Sequence, residues 1–246
     1  MKSKLIFMSL YLISIGLHDE KDLSLRAIET ARECDTLYVE FYTTILNTNI
    51  TKLSEVIGKP IKELRRKDME ENSEKLIEEA KTKKVGILVG GDCLTATTHL
   101  SLLEDAKKWK ISTKVVHGSS IYSAVSETGL FIYKFGKTAT VPMNGKLENV
   151  KNTVKNNKKL GLHTLLLLDI DRENNINMTV PEALKMLLKA KIIKDFDEIV
   201  VFSRAGEEIF YNIAKEFLNK KIGLPAVLII PGKLHFREKD FLELFQ

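Results

Sequence analysis

The chain has 246 residues, 44% hydrophobic and 29% charged, with a formal charge of +5 and a pI near 9.0. These values fit one or two globular domains with a real core and favour acidic partners only mildly. Two cysteines, Cys34 and Cys93, exclude a disulfide framework and are too few for a structural zinc site, which suits a reducing cytosol.

The opening KSKLIFMSLYLISIGL is apolar but short, lacks a small-residue cleavage pattern and runs straight into a core strand. Export is therefore not expected, and Met8 reads as an alternative start. No segment reaches the roughly 20 apolar residues of a membrane span. Leu10–Ile15 predicts a first strand, ended by Gly16, and Ser24 caps a helix to about Glu33. Thr36–Phe41 predicts a strand, Thr51–Ile57 a helix stopped by Gly58 and Pro60, and Ile61–Leu64 a short strand. Asp68–Lys81 reads as a charged helix, Val85–Val89 as a buried strand, Thr95–Trp109 as a helix and Thr113–Val116 as a strand. Ser119 or Ser120 caps a further short helix. After Gly129 the rhythm restarts, with Phe131–Gly136 as a connector. Strands are then expected at Ala139–Val141, Thr164–Ile170, Ile199–Phe202 and Val227–Ile230. Helices are expected over Leu147–Leu160, from Pro181 to about Lys191, and around Tyr211–Asn219. The alternation implies two α/β domains with mostly parallel sheets, residues 1–133 and 134–246.

Strand-end turns carry what chemistry the chain shows. Gly90-Gly91-Asp92 ends the Val85–Val89 strand, at the sheet edge where α/β proteins bind ligands. It also reads as a plain tight connection, because neither the dinucleotide fingerprint nor a P-loop is present. Ser119-Ser120-Ile121-Tyr122 starts a helix and offers backbone N–H groups, or simply caps it. Leu168-Asp169-Ile170-Asp171 pairs two carboxylates, more in keeping with solvated strand-end acids than with a magnesium site. Ser203-Arg204-Ala205-Gly206 and Pro225-Ala226 are small-residue turns. Histidines 18, 99, 117, 163 and 235 lack metal-binding spacing, so no metal is expected. Basic residues come in scattered short runs without interleaved aromatics, so neither nucleic acid nor a membrane is an expected partner.

Taken together, several blocks resemble the diphthine synthase family of the tetrapyrrole methylase superfamily. They are SIGLHDEKDLSLRAIE, CDTLYVEFYT, GGDCLTATTH, HGSSIYSAVSETGLFIYKFGKTATV, GLHTLLLLDI, SRAG and IIPGKLHF, spread over nearly the whole chain. The resemblance implies two α/β domains with an interdomain cleft, a cytoplasmic homodimer, and S-adenosyl-L-methionine as methyl donor. It implies trimethylation of the amino group of 3-amino-3-carboxypropyl-histidine on translation elongation factor 2, in diphthamide biosynthesis. Donor contacts carried over by position are Leu17, Asp92, Thr95, Ser120, Ile121, Leu168, Ala205 and Ala226. No catalytic base follows from the resemblance, and Tyr42, His99, His117 and Tyr122 are unranked substrate-side candidates.

Three departures stand out. The family's GLGL is SIGL, with Ser14 for the first glycine, and its PGDPL is GGDCL, with Gly90 and Cys93 for the prolines. The stretch between Val141 and Leu160 is shortened. The reaction implied is attack of a deprotonated amine on a sulfonium methyl, for which the protein chiefly supplies alignment. Two other readings keep the fold: a corrinoid or precorrin methyltransferase, and a degenerate binding module that holds the donor without catalysis.

Overall fold

The computed structural model describes residues 8–172 and 174–246; the first seven residues of the apolar opening lie outside them. The chain forms two compact units, one ending at Ser120 and one beginning at Ile121.

The first unit is built on five strands, β1 (Ser9–Ser14), β2 (Thr36–Glu40), β3 (Lys62–Leu64), β4 (Lys84–Val89) and β5 (Ser112–Val116). They pair in the order β3-β2-β4-β1-β5, and every pairing is parallel. Neighbouring side chains along a strand point to opposite faces, and both faces are covered. Leu10, Leu12, Val85 and Ile87 pack with Leu76 and Ile77 of α4 (Glu74–Ala80) and Leu102 of α5 (Leu100–Lys108). Ile13, Val39 and Leu88 pack with Ala27 and Ala31 of α1 (Leu25–Glu33) and with Leu53 and Ile57 of α2 (Ile50–Ile57). Ser24 caps α1 as expected, its hydroxyl accepting from Ala27 N at 3.1 Å. Because β4, β1 and β5 are neighbours, the turns after them emerge side by side at the carboxyl edge.

The second unit opens with the short α6 (Ile121–Ala124) and holds a sheet of β6 (Ala139–Val141), β7 (Thr164–Leu168), β10 (Glu198–Ser203), β11 (Glu208–Ile213) and β12 (Ala226–Ile230). Two short strands, β8 (Ile170–Asp171) and β9 (Ile176–Asn177), form a separate hairpin. Helices α7 (Glu148–Lys159) and α8 (Val180–Lys189) cover one face through Val150, Val154, Leu184 and Leu187, and α9 (Phe236–Leu242) adds Leu242 to the other.

Several expectations need correction. The second sheet runs β11-β10-β12-β7-β6 with only β6–β7 parallel; its other three pairings are antiparallel. The "mostly parallel" reading therefore holds for the first sheet alone. The boundary falls at 120/121 rather than at 133/134, because Val125 and Leu130 are buried in the second unit's core. The expected helix around Tyr211–Asn219 is instead the strand β11, followed by a 3-10 turn at Ala214–Phe217. The tight Arg204–Gly206 turn returns the chain as a hairpin, and the β-branched and aromatic run EIFYNI suits it. Helix Asp68–Lys81 is two pieces, α3 (Arg66–Glu70) and α4, separated where Asn72 N–H turns back to Lys67 O at 2.9 Å. Helix Thr95–Trp109 starts only at Leu100, after a turn in which Ala96 is left-handed at φ 55°. Helix α9 is an element beyond those expected from the sequence, and His235 and Glu238 form its capping box. Among the described residues no helix is long and apolar enough to cross a membrane.

Candidate functional site

At the carboxyl edge of the first sheet, two glycines bring the β1 and β4 turns together. Gly16 N–H donates to Gly91 O at 3.2 Å, and Gly91 N–H to Gly16 O at 2.7 Å. Both are left-handed, with φ 109° and 67°. A Cβ on Gly91 would meet nothing nearer than Leu17 Cδ2 at 4.0 Å, so the backbone there faces open space. The Leu17 turn is tied down by Asp22, whose Oδ2 accepts from Leu17 N at 2.8 Å and His18 N at 2.9 Å.

Asp92 sits beside this pair, 8% exposed. Oδ1 accepts from Leu94 N at 3.0 Å and lies 3.4 Å from the Thr95 hydroxyl. Oδ2 accepts from His117 Nδ1 at 2.8 Å and Gly118 N at 3.3 Å. Burial pushes its pKa up, but the N–H donors of Leu94, His117 and Gly118 hold it below the usual carboxylate range. Leu17, Asp92, Thr95 and the β5 turn leading to Ser120 thus form one connected ledge.

The departures Ser14 and Cys93 meet in the same place. Cys93 N–H, which a proline would lack, donates to Ser14 Oγ at 3.0 Å. Gly118 makes room for the serine, since a Cβ there would lie 2.7 Å from Ser14 Cβ. Gly90 likewise accommodates Thr44, whose Cγ2 would be 2.0 Å from an added Cβ. The Cys93 thiol is buried, and burial raises its pKa to about 11, so it is an inert core group.

In the second unit, Ile121 and Ala205 pack against one core cluster. Ala226 is paired with Ser203, and Arg204 N–H donates to Pro225 O at 2.7 Å, which draws the two late turns together. Arg204 and Ala205 are consecutive left-handed residues at φ 48° and 51°. Strand β12 pairs with β7 as far as Val227↔Leu167, so Ala226 and Leu168 reach the same edge. Asp169 and Asp171 serve local donors, Met143 N at 3.0 Å and Asn174 N at 3.1 Å respectively. No cluster of three or more potential metal ligands is found among the described residues.

Of the substrate-side candidates, Tyr42 and His99 are buried at 5% and 2% exposure, while Tyr122 and the His117 side chain are exposed. His99 stands between Cys93 O, 3.3 Å from Nδ1, and the Tyr42 hydroxyl, 3.4 Å from Nε2. Glu40 lies 4.0 Å away, its pKa raised to about 7 by burial. This arrangement braces the loop from within and does not present His99 or Tyr42 to a substrate. A second buried network, unanticipated in the sequence, joins three blocks of the second unit. Glu238 accepts from Phe131 N at 2.8 Å, His235 N at 2.7 Å, His163 Nε2 at 2.9 Å and the Lys134 ammonium.

The family model for Tetrapyrrole (Corrin/Porphyrin) Methylases matches residues 9–215. A diphthine synthase of Methanocaldococcus jannaschii is 44% identical, covering 95% of this chain and 97% of its own. One from Methanococcus maripaludis (strain C5) is 40% identical over 95% and 97%. A crystal structure of diphthine synthase superposes with a TM-score of 0.90 at 37% identity, covering 96% of this chain and 95% of its own. That of a putative diphthine synthase from Entamoeba histolytica gives 0.87 at 32% identity, with 96% and 98% covered. The chain therefore belongs to the tetrapyrrole (corrin/porphyrin) methylase family, on its diphthine synthase branch, and is an S-adenosylmethionine-dependent methyltransferase.

Proposed function

We propose that the chain methylates, three times, the amino group of a 3-amino-3-carboxypropyl-histidine on translation elongation factor 2, yielding diphthine. The observation that carries this reading is the near full-length identity with proteins named diphthine synthase, 44% over 95% of the chain. The chain's own chemistry fits a sulfonium donor. Gly91 leaves backbone open to a ligand, an ionised Asp92 lies beside it, and Ala205 and Ala226 keep the second unit's turns small. When bound, the donor supplies a methyl group already activated by the positive charge on its sulfur.

The proposed donor contacts are Leu17, Asp92, Thr95 and Ser120 in the first unit, and Ile121, Leu168, Ala205 and Ala226 in the second. With its oxygens committed to Leu94, His117 and Gly118, Asp92 acts chiefly by fixing the loops that present backbone to the donor. Asp92→Ala is expected to lower both donor affinity and turnover. Unchanged calorimetric affinity and unchanged turnover would refute the assignment. The protein is further proposed to act as a homodimer in the cytoplasm, which light scattering of the purified chain tests for the dimer.

The deciding experiment incubates the chain with donor and with elongation factor 2 carrying the modified histidine, then weighs the factor. Three methyl increments are expected. A factor of unchanged mass, together with methylation of a corrinoid precursor, would move the assignment to the other chemistry that the family description covers.

A further inference from the structure

We propose that His117, oriented by Asp92, is the general base that takes protons from the substrate's amino nitrogen. The inference rests on the substrate reading above and deepens it.

An ionised carboxylate can only accept, so the 2.8 Å contact requires the proton on His117 Nδ1. In the neutral ring Nε2 then carries the lone pair. The side chain is 70% exposed, so that lone pair is open to an incoming group. Asp92 is fixed by the N–H groups of Leu94 and Gly118 and does not swing with the ring. A buried carboxylate holding the tautomer of an exposed imidazole is how a histidine is prepared for proton transfer. The pair stands beside the open backbone of Gly91, at the edge where this sheet type binds ligands.

The other four histidines are differently employed. His99 and His163 are buried with both ring nitrogens in contact with partners. His235 caps α9 by accepting from Arg237 N at 3.3 Å and packs against Phe131 and Phe236. His18 is exposed, but its carboxylate partner lies at 3.3 Å, through an oxygen that already accepts from Leu17 and His18 N–H. Among the described residues the ion-pair partner of His117 is Asp92.

The chemistry needs such a group. The substrate nitrogen arrives as –NH3+, without a free electron pair. His117 Nε2 takes one proton, and the freed pair forms the new N–C bond while the C–S bond breaks, leaving its electrons on sulfur. The nitrogen is then –NH2(CH3)+ and must lose a second proton before it attacks again. A third proton leaves after the second methyl. The third methyl completes –N(CH3)3+, which has no N–H to lose. Three protons pass to His117 in turn, and the exposed ring releases each to water.

The test compares wild type with H117Q, H117A and H18Q, using donor and modified elongation factor across pH, with product masses and donor calorimetry. Near neutral pH H117Q should be slower by about 10²–10⁴-fold with donor affinity unchanged. Its rate should climb about tenfold per pH unit, as solvent deprotonation takes over. Singly and doubly methylated factor should accumulate, and added imidazole should restore H117A. In nitrogen-detected NMR His117 should show the Nδ1–H tautomer, lost in D92N. The proposal is overturned if H117Q keeps wild-type rate and pH profile, if H18Q carries the effect instead, if H117Q loses donor binding, or if Nε2 holds the proton. A wild-type chain that leaves the factor's mass unchanged removes the substrate reading and the base with it. Normal wild-type methylation with an unaffected H117Q removes the base alone.

Discussion

His163 and His117 carry their protons on opposite ring nitrogens. His163 Nδ1 accepts from Gly232 N at 2.9 Å, so Nε2 must donate to Glu238, and neither nitrogen is left for chemistry. Burial of Glu238 raises its pKa, but donation from His235, Lys134, Phe131 and His163 outweighs this and brings it from 4.5 to about 2. The folded value is the lower one, so this stability is complete above the unfolded carboxylate's pKa and is lost as pH falls from about 5 towards 2. Its size is on the order of 3 kcal/mol. Burial also lowers the His163 pKa, which adds to the loss in acid. Denaturant titrations from pH 7 to pH 2 should show a steep acid loss in wild type and a shallower one in Glu238→Gln. At pH 7 Glu238→Gln should already be destabilised by about 3 kcal/mol, because Lys134 and His163 lose a buried carboxylate. Little of this was legible in sequence. IYKFGK, GLHTLL and PGKLHF stood out as blocks, but nothing in their spacing says that one glutamate binds all three. The place of Asp92 in the turn after β4 was legible because it follows a buried strand directly and needs no long-range pairing.

Among the elements, the turn after β4 shows how a departure from a motif can be self-consistent. Ser14 accepts the hydrogen bond that Cys93 N–H donates, and neither a glycine at 14 nor a proline at 93 could take part in it. Ser14→Gly should cost about 1–3 kcal/mol by orphaning a buried N–H, and Cys93→Pro should orphan the serine hydroxyl instead. The double variant Ser14→Gly/Cys93→Pro should lose less than the sum, because donor and acceptor leave together. A double-mutant cycle in urea measures this, and strict additivity would refute the coupling. Strands and capped helices of the first unit were readable because local pattern and tertiary pairing agree. Thr95–His99 misled because its hydroxyls compete with helix formation: the Thr97 hydroxyl donates to Cys93 O at 3.2 Å and accepts from His99 N at 3.4 Å. Strand direction in the second sheet was unreadable for another reason. A four-residue turn, as between β10 and β11, and a long helical crossover both leave an apolar run on either side, and only the former returns the chain antiparallel.

For the whole molecule, the position of the boundary is a claim about folding. Val125 and Leu130 belong to the core around Val200, Phe202 and Ile229. A fragment of residues 121–246 should unfold cooperatively in denaturant, while one of residues 134–246 should bind hydrophobic dyes and melt broadly. Equal cooperativity of the two fragments would return the boundary to 133/134. The left-handed pair Arg204–Ala205 bears on the chain's tolerance of heat. Each of these side chains sits where L-residues are disfavoured by about 1–2 kcal/mol, a conformation that glycine adopts freely. A screen that rewards survival at high temperature alone should therefore enrich glycine at 204 and 205. Ala205 is one of the proposed donor contacts, so such survivors should outlast wild type on heating and yet methylate more slowly, which melting curves and rates measured side by side would check.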